Sequence, residues 1–463
     1  MKGKLGVNAE WHIPTDIVVY EPGIEMLYGS FNPLGTLFEG PNDVKEAAKE
    51  HRNMVKTIAE KSGAKIHRVN DLLVAGTKDS DGNAIEGERL EQLRNLARIS
   101  MEYNYQNLGL QVKNQLEAQR ESVLRTISPE ALAHIVLTQP TYSVKKSSDG
   151  HTETQTLLSL QPVYNLMFMR DQMITTPNGI IIGNMNSLER QSETKIVEHA
   201  IAGLGITPLA RINNGGKLEG GDYIPMGQDL LIGTGARTNA EGINQLVENF
   251  NTYFMTEEDK ANIGDSNKER RLVVIHNSES DQDRMHLDTY MNVLDKKTVV
   301  IDNTVLKGKE KPRVEVYAFR DGKTKPIHSF SNVMGYFESK GVKVIETNGD
   351  VQANYGLNYL LIGPKEFVGV DIAAKAPFKQ SVLEQSLASA KAAHLPFNGL
   401  DKAVIQEKIS TLQSLENIAA DYTAKLIREG GVAPNKMYNV VLNHLNQAYG
   451  SIHCCTQVIG RTK

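Results

Sequence analysis

The stretch MITTPNGIIIGNM, residues 173–185, reads as two short apolar strands folded on one turn: strand-forming residues, the turn signal Pro177-Asn178-Gly179, then three isoleucines in a row. The same arrangement returns as YIPMGQDLLIGTG at 223–235, YMNVLDKKTVVID at 290–302 and YLLIGPKEFVGVD at 359–371, with GQD, DKK and GPKE at the turns. Successive copies stand roughly 50 to 70 residues apart, which leaves room for a helix and one more strand after each hairpin. The repeating unit is therefore predicted to be ββαβ, with a fifth copy at the N-terminal end around WHIPTDIVVYEPG. Units of this size cannot bury both faces of their sheets alone, so they are expected to share a centre, as blades do around an axis.

The rest of the chain is helical in pattern. In NDVKEAAKEHRNMVKTIAEKSGAKIHRV, apolar and small residues recur at helical spacing from Val44 to Ile58, Gly63 stops the run, and a short strand follows. Residues 84–150 are predicted to be a helical insertion, with Ser128 as N-cap and Pro129 as first helical residue of one of its helices. A second helical insertion is expected over 376–430, ending at Gly430 and Gly431. The whole chain, 1–463, is read as a single catalytic domain of α/β class carrying these two additions.

Composition excludes several classes of protein. A hydrophobic content of 40% and a net charge of −4 fit an ordinary globular chain and argue against disorder. Lys and Arg are dispersed, so no basic footprint for nucleic acid is expected, and no apolar run is long enough for a membrane span. The N-terminus MKGKLGVNAEWHIP lacks the apolar core of a signal peptide, and two cysteines in 463 residues make no disulfide framework, so a cytoplasmic location is expected. The partner expected is a small molecule; the composition is also compatible with a homo-oligomer.

Polar residues gather just ahead of the hairpins: NLMFMRDQ before the first, KLEGGDY before the second, RMHLDTY before the third. Asn165, Arg170, Asp171, Glu219, Asp222, His286 and Asp288 thus hold equivalent places in successive units, and equivalent places around a shared centre converge. Both cysteines stand together in AYGSIHCCTQVIGR, residues 448–461, where adjacency is poor geometry for a crosslink. Several carboxylates with no metal pattern suit a cationic substrate, and a planar guanidinium is the cation they match best through paired, charge-assisted hydrogen bonds. A thiolate can attack its central carbon, with a His passing protons to the departing ammonia and from water.

Singly, these residues have plainer readings: a lone Cys is most often a small buried hydrophobe, EGGD a turn, RD a surface ion pair. Their joint occurrence at equivalent places argues against that. Taken in order, FMRD, EGGD, HLDT and a C-terminal Cys resemble the guanidino-group-modifying enzymes, and N-L-x-F-x-R-D, E-G-G-D, R-T and M-H-L-D-T most resemble arginine deiminase. The resemblance implies a five-bladed α/β propeller of ββαβ units, no cofactor, and hydrolysis of free L-arginine to citrulline and ammonia through a covalent Cys intermediate. By motif position it implies Cys454 as nucleophile, His286 as acid and base, Asp171 and Asp288 as guanidinium clamp, and Glu219 as a further partner. It also implies substrate-binding roles for Asn165, Asp222, Arg190 in LERQSE and Arg237 in GARTNA, with Asn165 and the two arginines on the α-carboxylate end.

Around the nucleophile the chain departs from the deiminase pattern G-P-R-C-M-S-M-P: Ser451, Ile452 and His453 precede Cys454, and Cys455, Thr456 and Gln457 follow. This tail resembles the H-C-x-T form of agmatine and peptidylarginine deiminases, and Gln172 follows Asp171 where a Pro is common. His453 and His12 are read as structural. Agmatine or peptidylarginine deiminase, arginine dihydrolase and amidinotransferase remain alternatives on the same scaffold, as does a non-catalytic propeller that binds a ligand. A metal hydrolase is disfavoured, because His286 and Asp288 supply too few ligands.

Overall fold

The computed structural model describes residues 5–38, 42–148, 151–265, 268–277, 282–308, 311–381 and 414–462. Within it the four quoted stretches are antiparallel hairpins: Met173–Thr176 with Gly179–Ile182, Tyr223–Met226 with Asp229–Thr234, Met291–Asp295 with Thr298–Asp302, and Leu360–Gly363 with Glu366–Val370. Each hairpin's second strand then pairs in parallel with a third, namely Ala210–Arg211, Arg271–His276, Lys343–Thr347 and Met437–Val440. A parallel partner needs a crossover, and a helix lies within each: Glu193–Ala202, Ala240–Glu248, Val333–Ser339 and Leu415–Arg428. These are four copies of ββαβ in a mixed α/β fold. Hairpin strands such as Met173–Thr176 and Tyr223–Met226 are buried on both faces, which is why they read as unbroken apolar runs instead of alternating ones.

The N-terminal copy is built differently from expectation. Strand Pro14–Val19 pairs in parallel with Lys65–Arg68, but its antiparallel partner is Gln457–Arg461, supplied from beyond all the other units. Local pattern could not announce that pairing, because the two halves of the hairpin are 449 positions apart at the Ile13–Thr462 contact. Between them, helix Val44–Ser62 forms as predicted: the Asp43 carboxylate accepts hydrogen bonds from the Lys45 and Glu46 amides, and Gly63 closes the helix in a left-handed conformation at φ 71°. Ala47, Met54, Val55 and Ile58 are its buried stripe.

Residues 84–150 are not purely helical. Helices Glu88–Ile99, Leu110–Thr126 and Pro129–Thr138 are present, the last capped by the Ser128 hydroxyl. Strands Glu102–Gln106 and Pro140–Lys146 also lie there, pairing in parallel, and Thr154–Leu160 completes their sheet. Tyr103 stacks on Tyr142 with ring centroids 4.8 Å apart, a cross-strand aromatic pair that helical pattern reading overlooks. Of the second expected insertion, 382–413 lie outside the described residues, and Leu415–Arg428 is the crossover helix of the last unit instead of an addition to it. A further hairpin, Arg313–Arg320 with Lys323–Phe330, extends the sheet of the second quoted stretch to five strands.

Candidate active site

Each hairpin's first strand is led in by a short irregular segment, and these segments deliver the polar residues. Asp171 stands two residues before Met173, Asp222 directly before Tyr223, Asp288 three before Met291, Asn358 two before Leu360, and Cys454 three before Gln457. The two glycines of EGGD permit the close approach this requires. A β-carbon on Gly221 would stand 2.6 Å from His286 Nδ1, and one on Gly220 would collide with the Arg170 carbonyl oxygen.

Around the thiol, Asn358 Nδ2 donates to Cys454 Sγ at 3.1 Å, and the Cys454 amide donates to Asn358 Oδ1 at 3.2 Å. Asp288 Oδ2 lies 3.8 Å from Cys454 Sγ and 2.7 Å from His453 Nδ1. On the far wall, His286 Nε2 is 2.8 Å from Glu219 Oε2, while its Nδ1 is 3.7 Å from Asp171 Oδ1. Asp171 Oδ2 accepts from Arg190 at 2.7 Å, and Arg190 also donates to Glu193 through Nε and Nη2. All of these side chains are buried, and two oxygens, Asp171 Oδ1 and Asp288 Oδ1, have no hydrogen-bond partner among the described residues.

Burial dominates the titration of the thiol. It pushes Cys454 well above its ordinary range, and the Asp288 and Asp171 carboxylates push the same way, so the thiol is held neutral. Burial alone would discharge His286, but Asp171, Glu219 and Asp222 outweigh it and hold the imidazole protonated, with a pKa of about 9. Glu219 is the reverse case: burial raises it, and His286, Arg190 and Arg237 overcome that to leave it at about 2. Asp222 is pushed up to about 7 by burial, against His286 and the Thr238 hydroxyl.

Asn165, Asp171, Arg190, His286 and Cys454 line one small cavity of about 20 Å³, with Glu219 behind His286 and Asp288 against the thiol. Three expected substrate-binding residues are engaged elsewhere or already paired. Asp222 accepts from the Leu287 amide at 3.0 Å and from Thr238 Oγ1 at 2.6 Å, so it holds the segment that carries His286. Arg237 donates to Gln282 Oε1 at 2.9 Å, and it is Gln282 that reaches the cavity. Arg190 already has two carboxylates. Asn358 was not singled out by sequence, although it occupies in the last quoted hairpin the place Asp171 occupies in the first; the same positional rule finds it. His453, read as structural, holds the Asp288 carboxylate.

Asp171, Glu219 and His286 bring ligand-type atoms within 4.8 Å of one another, close enough to converge on one cation. His286 and Glu219 are bonded to each other, and Arg190 sits on Asp171, so each of the three groups is already engaged with a neighbouring side chain. No helix among the described residues is long and apolar enough to cross a membrane.

The sequence profile of the family described as arginine deiminase matches residues 35–375. Over its full length the chain is 22% identical to an arginine deiminase of Halobacterium salinarum, an alignment covering 99% of this chain and 97% of that one. It is 27% identical to the arginine deiminase of Treponema denticola over 50% of this chain and 56% of the relative. Among solved structures, the N-terminal domain of a cyanobacterial arginine dihydrolase overlays with a TM-score of 0.46 at 11% identity, covering 96% of this chain and 98% of that one. A profile match over 35–375 of 463 residues, joined to a full-length relative, places this chain in the arginine deiminase family, as an enzyme that hydrolyses the C–N bond of a guanidino group.

Proposed function

We propose that the protein hydrolyses free L-arginine to citrulline and ammonia through a covalent adduct on Cys454. The observation that carries this reading is the pair of buried oxygens without a hydrogen-bond partner among the described residues, Asp171 Oδ1 and Asp288 Oδ1, in a site that also holds a neutral thiol and a charged imidazole. Two such oxygens ask for a cation with N–H groups pointing two ways, which a guanidinium supplies.

The chemistry then runs as follows. The arriving cation offsets the carboxylates that keep the thiol neutral, and Cys454 loses its proton to solvent. The thiolate attacks the guanidinium carbon, forming a C–S bond. The protonated His286 gives its proton to one amino group, ammonia departs, and a thiouronium cation remains on Cys454. Neutral His286 next takes a proton from water, the hydroxide adds to the same carbon, and collapse breaks the C–S bond, leaving a ureido product and the thiol. Glu219 holds the imidazole and favours its charged form. Asn358, touching Sγ through an amide N–H, stabilises the thiolate as it forms.

The five ββαβ units are read as blades of one propeller, with 1–463 a single catalytic domain and the 84–150 segment an insertion after the first blade. A reducing, cytoplasmic setting suits two adjacent free thiols. Homo-oligomerisation is compatible with this reading.

A second reading is favoured by one contact. Arg190, expected to hold the substrate α-carboxylate, is balanced by Glu193 and Asp171, which leaves Arg237 as the remaining cation for that task. Agmatine or another guanidine without a free carboxylate then becomes the alternative substrate. Incubation with L-arginine, agmatine and a peptidyl arginine, with quantification of ureido product and of ornithine, separates these readings and the dihydrolase. Arginine is expected to exceed agmatine in kcat/KM by about tenfold, near 1.4 kcal/mol, and Arg237→Ala to erode that margin by weakening arginine. Agmatine as the better substrate of the unaltered protein would sink the arginine reading; transfer of the amidino group to an added amine would indicate an amidinotransferase.

A further inference from the structure

The strands that carry the catalytic lead-ins have a second end, and it is hollow. A cavity of about 530 Å³ opens there, walled by Pro177, Gly227 and Lys296 from three hairpin turns and by Arg461 at the end of the last strand. Strands of four or five residues set this end roughly 15 Å from the Cys454 site. The volume falls within the usual range for small-ligand sites, whereas the cavity at Cys454 is about 20 Å³.

The charge on its walls is not balanced. Arg270 is paired with Asp259 at 2.9 Å, and Arg271 with Asp229. Lys296 and Lys340 face the same space with no ion-pair partner within 4 Å among the described residues, against one unpaired carboxylate, Glu258. Lys340 is half-buried, and its desolvation lowers its pKa, with Asp229 only partly offsetting this; a cation so placed gains from an anion. Trp11, Met226 and Phe337 provide an apolar wall.

One lining residue leads back to the chemistry. The Arg461 side chain is fully buried; its Nε has no hydrogen-bond partner among the described residues, its Nη1 donates to the His12 and Leu361 carbonyls, and its Nη2 pairs with the buried Glu10. Glu10 also meets Arg170 at 3.4 Å and stands 3.7 Å from His453 Nε2, whose Nδ1 is 2.7 Å from Asp288. A continuous series of polar and charged side chains thus joins the cavity to the carboxylate beside Cys454.

We propose that this cavity is a second ligand site, for a small polyanion bearing phosphate or carboxylate groups, and that its occupancy changes turnover at Cys454 through Arg461, Glu10 and His453. A single monovalent anion would underfill both the space and the charge. An anion drawing on Arg461 loosens its hold on Glu10, and Glu10 in turn shifts His453 against Asp288, so the two sites are coupled through one carboxylate.

Trp11 is the chain's only tryptophan, so its fluorescence reports this cavity directly. Pyrophosphate and citrate are titrated separately into the full-length protein at constant ionic strength, with chloride as control, and equilibrium dialysis with labelled probe counts sites should Trp11 be insensitive. Saturable binding of one probe per chain is expected, weakened about tenfold in Lys296→Glu/Lys340→Gln, a double variant whose guanidino hydrolysis without probe stays unchanged. Saturation by pyrophosphate alone assigns phosphate, and by citrate alone carboxylate. No saturable binding of either probe, or binding indifferent to the double variant, overturns the site. Binding that leaves kcat/KM unaltered keeps the site and overturns the coupling.

Discussion

His453 Nδ1 lies 2.7 Å from Asp288 Oδ2, both side chains buried, and this same oxygen stands 3.8 Å from Cys454 Sγ, while Asp288 Oδ1 has no hydrogen-bond partner among the described residues. The histidine next to Cys454 therefore holds the Asp288 carboxylate without lining the cavity. Losing a hydrogen bond to a buried charged group costs about 1.5–3 kcal/mol, so His453→Ala is expected to lower kcat/KM about 10- to 100-fold, largely through KM. His453→Asn, which keeps an N–H near the same place, should recover part of it. Equal losses in both variants, with kcat and not KM affected, would refute a positioning role.

The acid and base should reveal itself through Glu219. Since the folded His286 pKa of about 9 lies above its ordinary 6.5, its charged form stabilises the fold fully below about pH 6.5, and this contribution is lost as pH rises through 9. Activity that needs the imidazolium should fall on the same alkaline limb. Glu219→Gln removes one of the carboxylates that raise His286 and should move that limb down by about one unit or more. An alkaline limb that stays in place in this variant would assign the titration to another group.

The adjacent thiols make an internal control. Cys454 lines the catalytic cavity, whereas Cys455 is fully buried and does not. Cys454→Ser is expected to abolish turnover and Cys455→Ser to retain most of it. Mass spectrometry after brief incubation with substrate and acid quench should find the adduct on the peptide of Cys454. Parallel loss in both variants, with unchanged thermal stability, would contradict the assignment.

Gly450 carries a steric prediction. A β-carbon there would fall inside van der Waals contact of the Phe168 ring, on the strand-free segment that leads to Cys454. Overpacking costs about 1–3 kcal/mol, so Gly450→Ala should lower Tm by several degrees and reduce kcat further as the loop shifts. Wild-type stability and activity in Gly450→Ala would show that the loop yields freely.

How much of this was legible depended on whether the signal was local. The four hairpins at 173–185, 223–235, 290–302 and 359–371 announced themselves because apolar runs and turn residues lie side by side, and the lead-in positions of Asp171, His286, Asp288 and Cys454 followed from their repetition. Strands Glu102–Gln106 and Pro140–Lys146 escaped because their exposed faces are polar and helices surround them. The pairing of Arg190 with Glu193 was invisible for another reason: an i,i+3 ion pair looks like any solvated helix face until burial is known. The contact His453 makes was out of reach of a local reading because its partner Asp288 is 165 residues away.

The pairing of Pro14–Val19 with Gln457–Arg461 also dictates an order of events during synthesis. The early strand is translated with one edge unpaired and keeps it so until the four later units have emerged, an arrangement of high contact order that folds slowly and exposes a ready template for misassociation. The same step sets Cys454, just ahead of the closing strand, into place. The closure that seals this unpaired edge is therefore also the one that sets the Cys454 segment against Asn358 and Asp288.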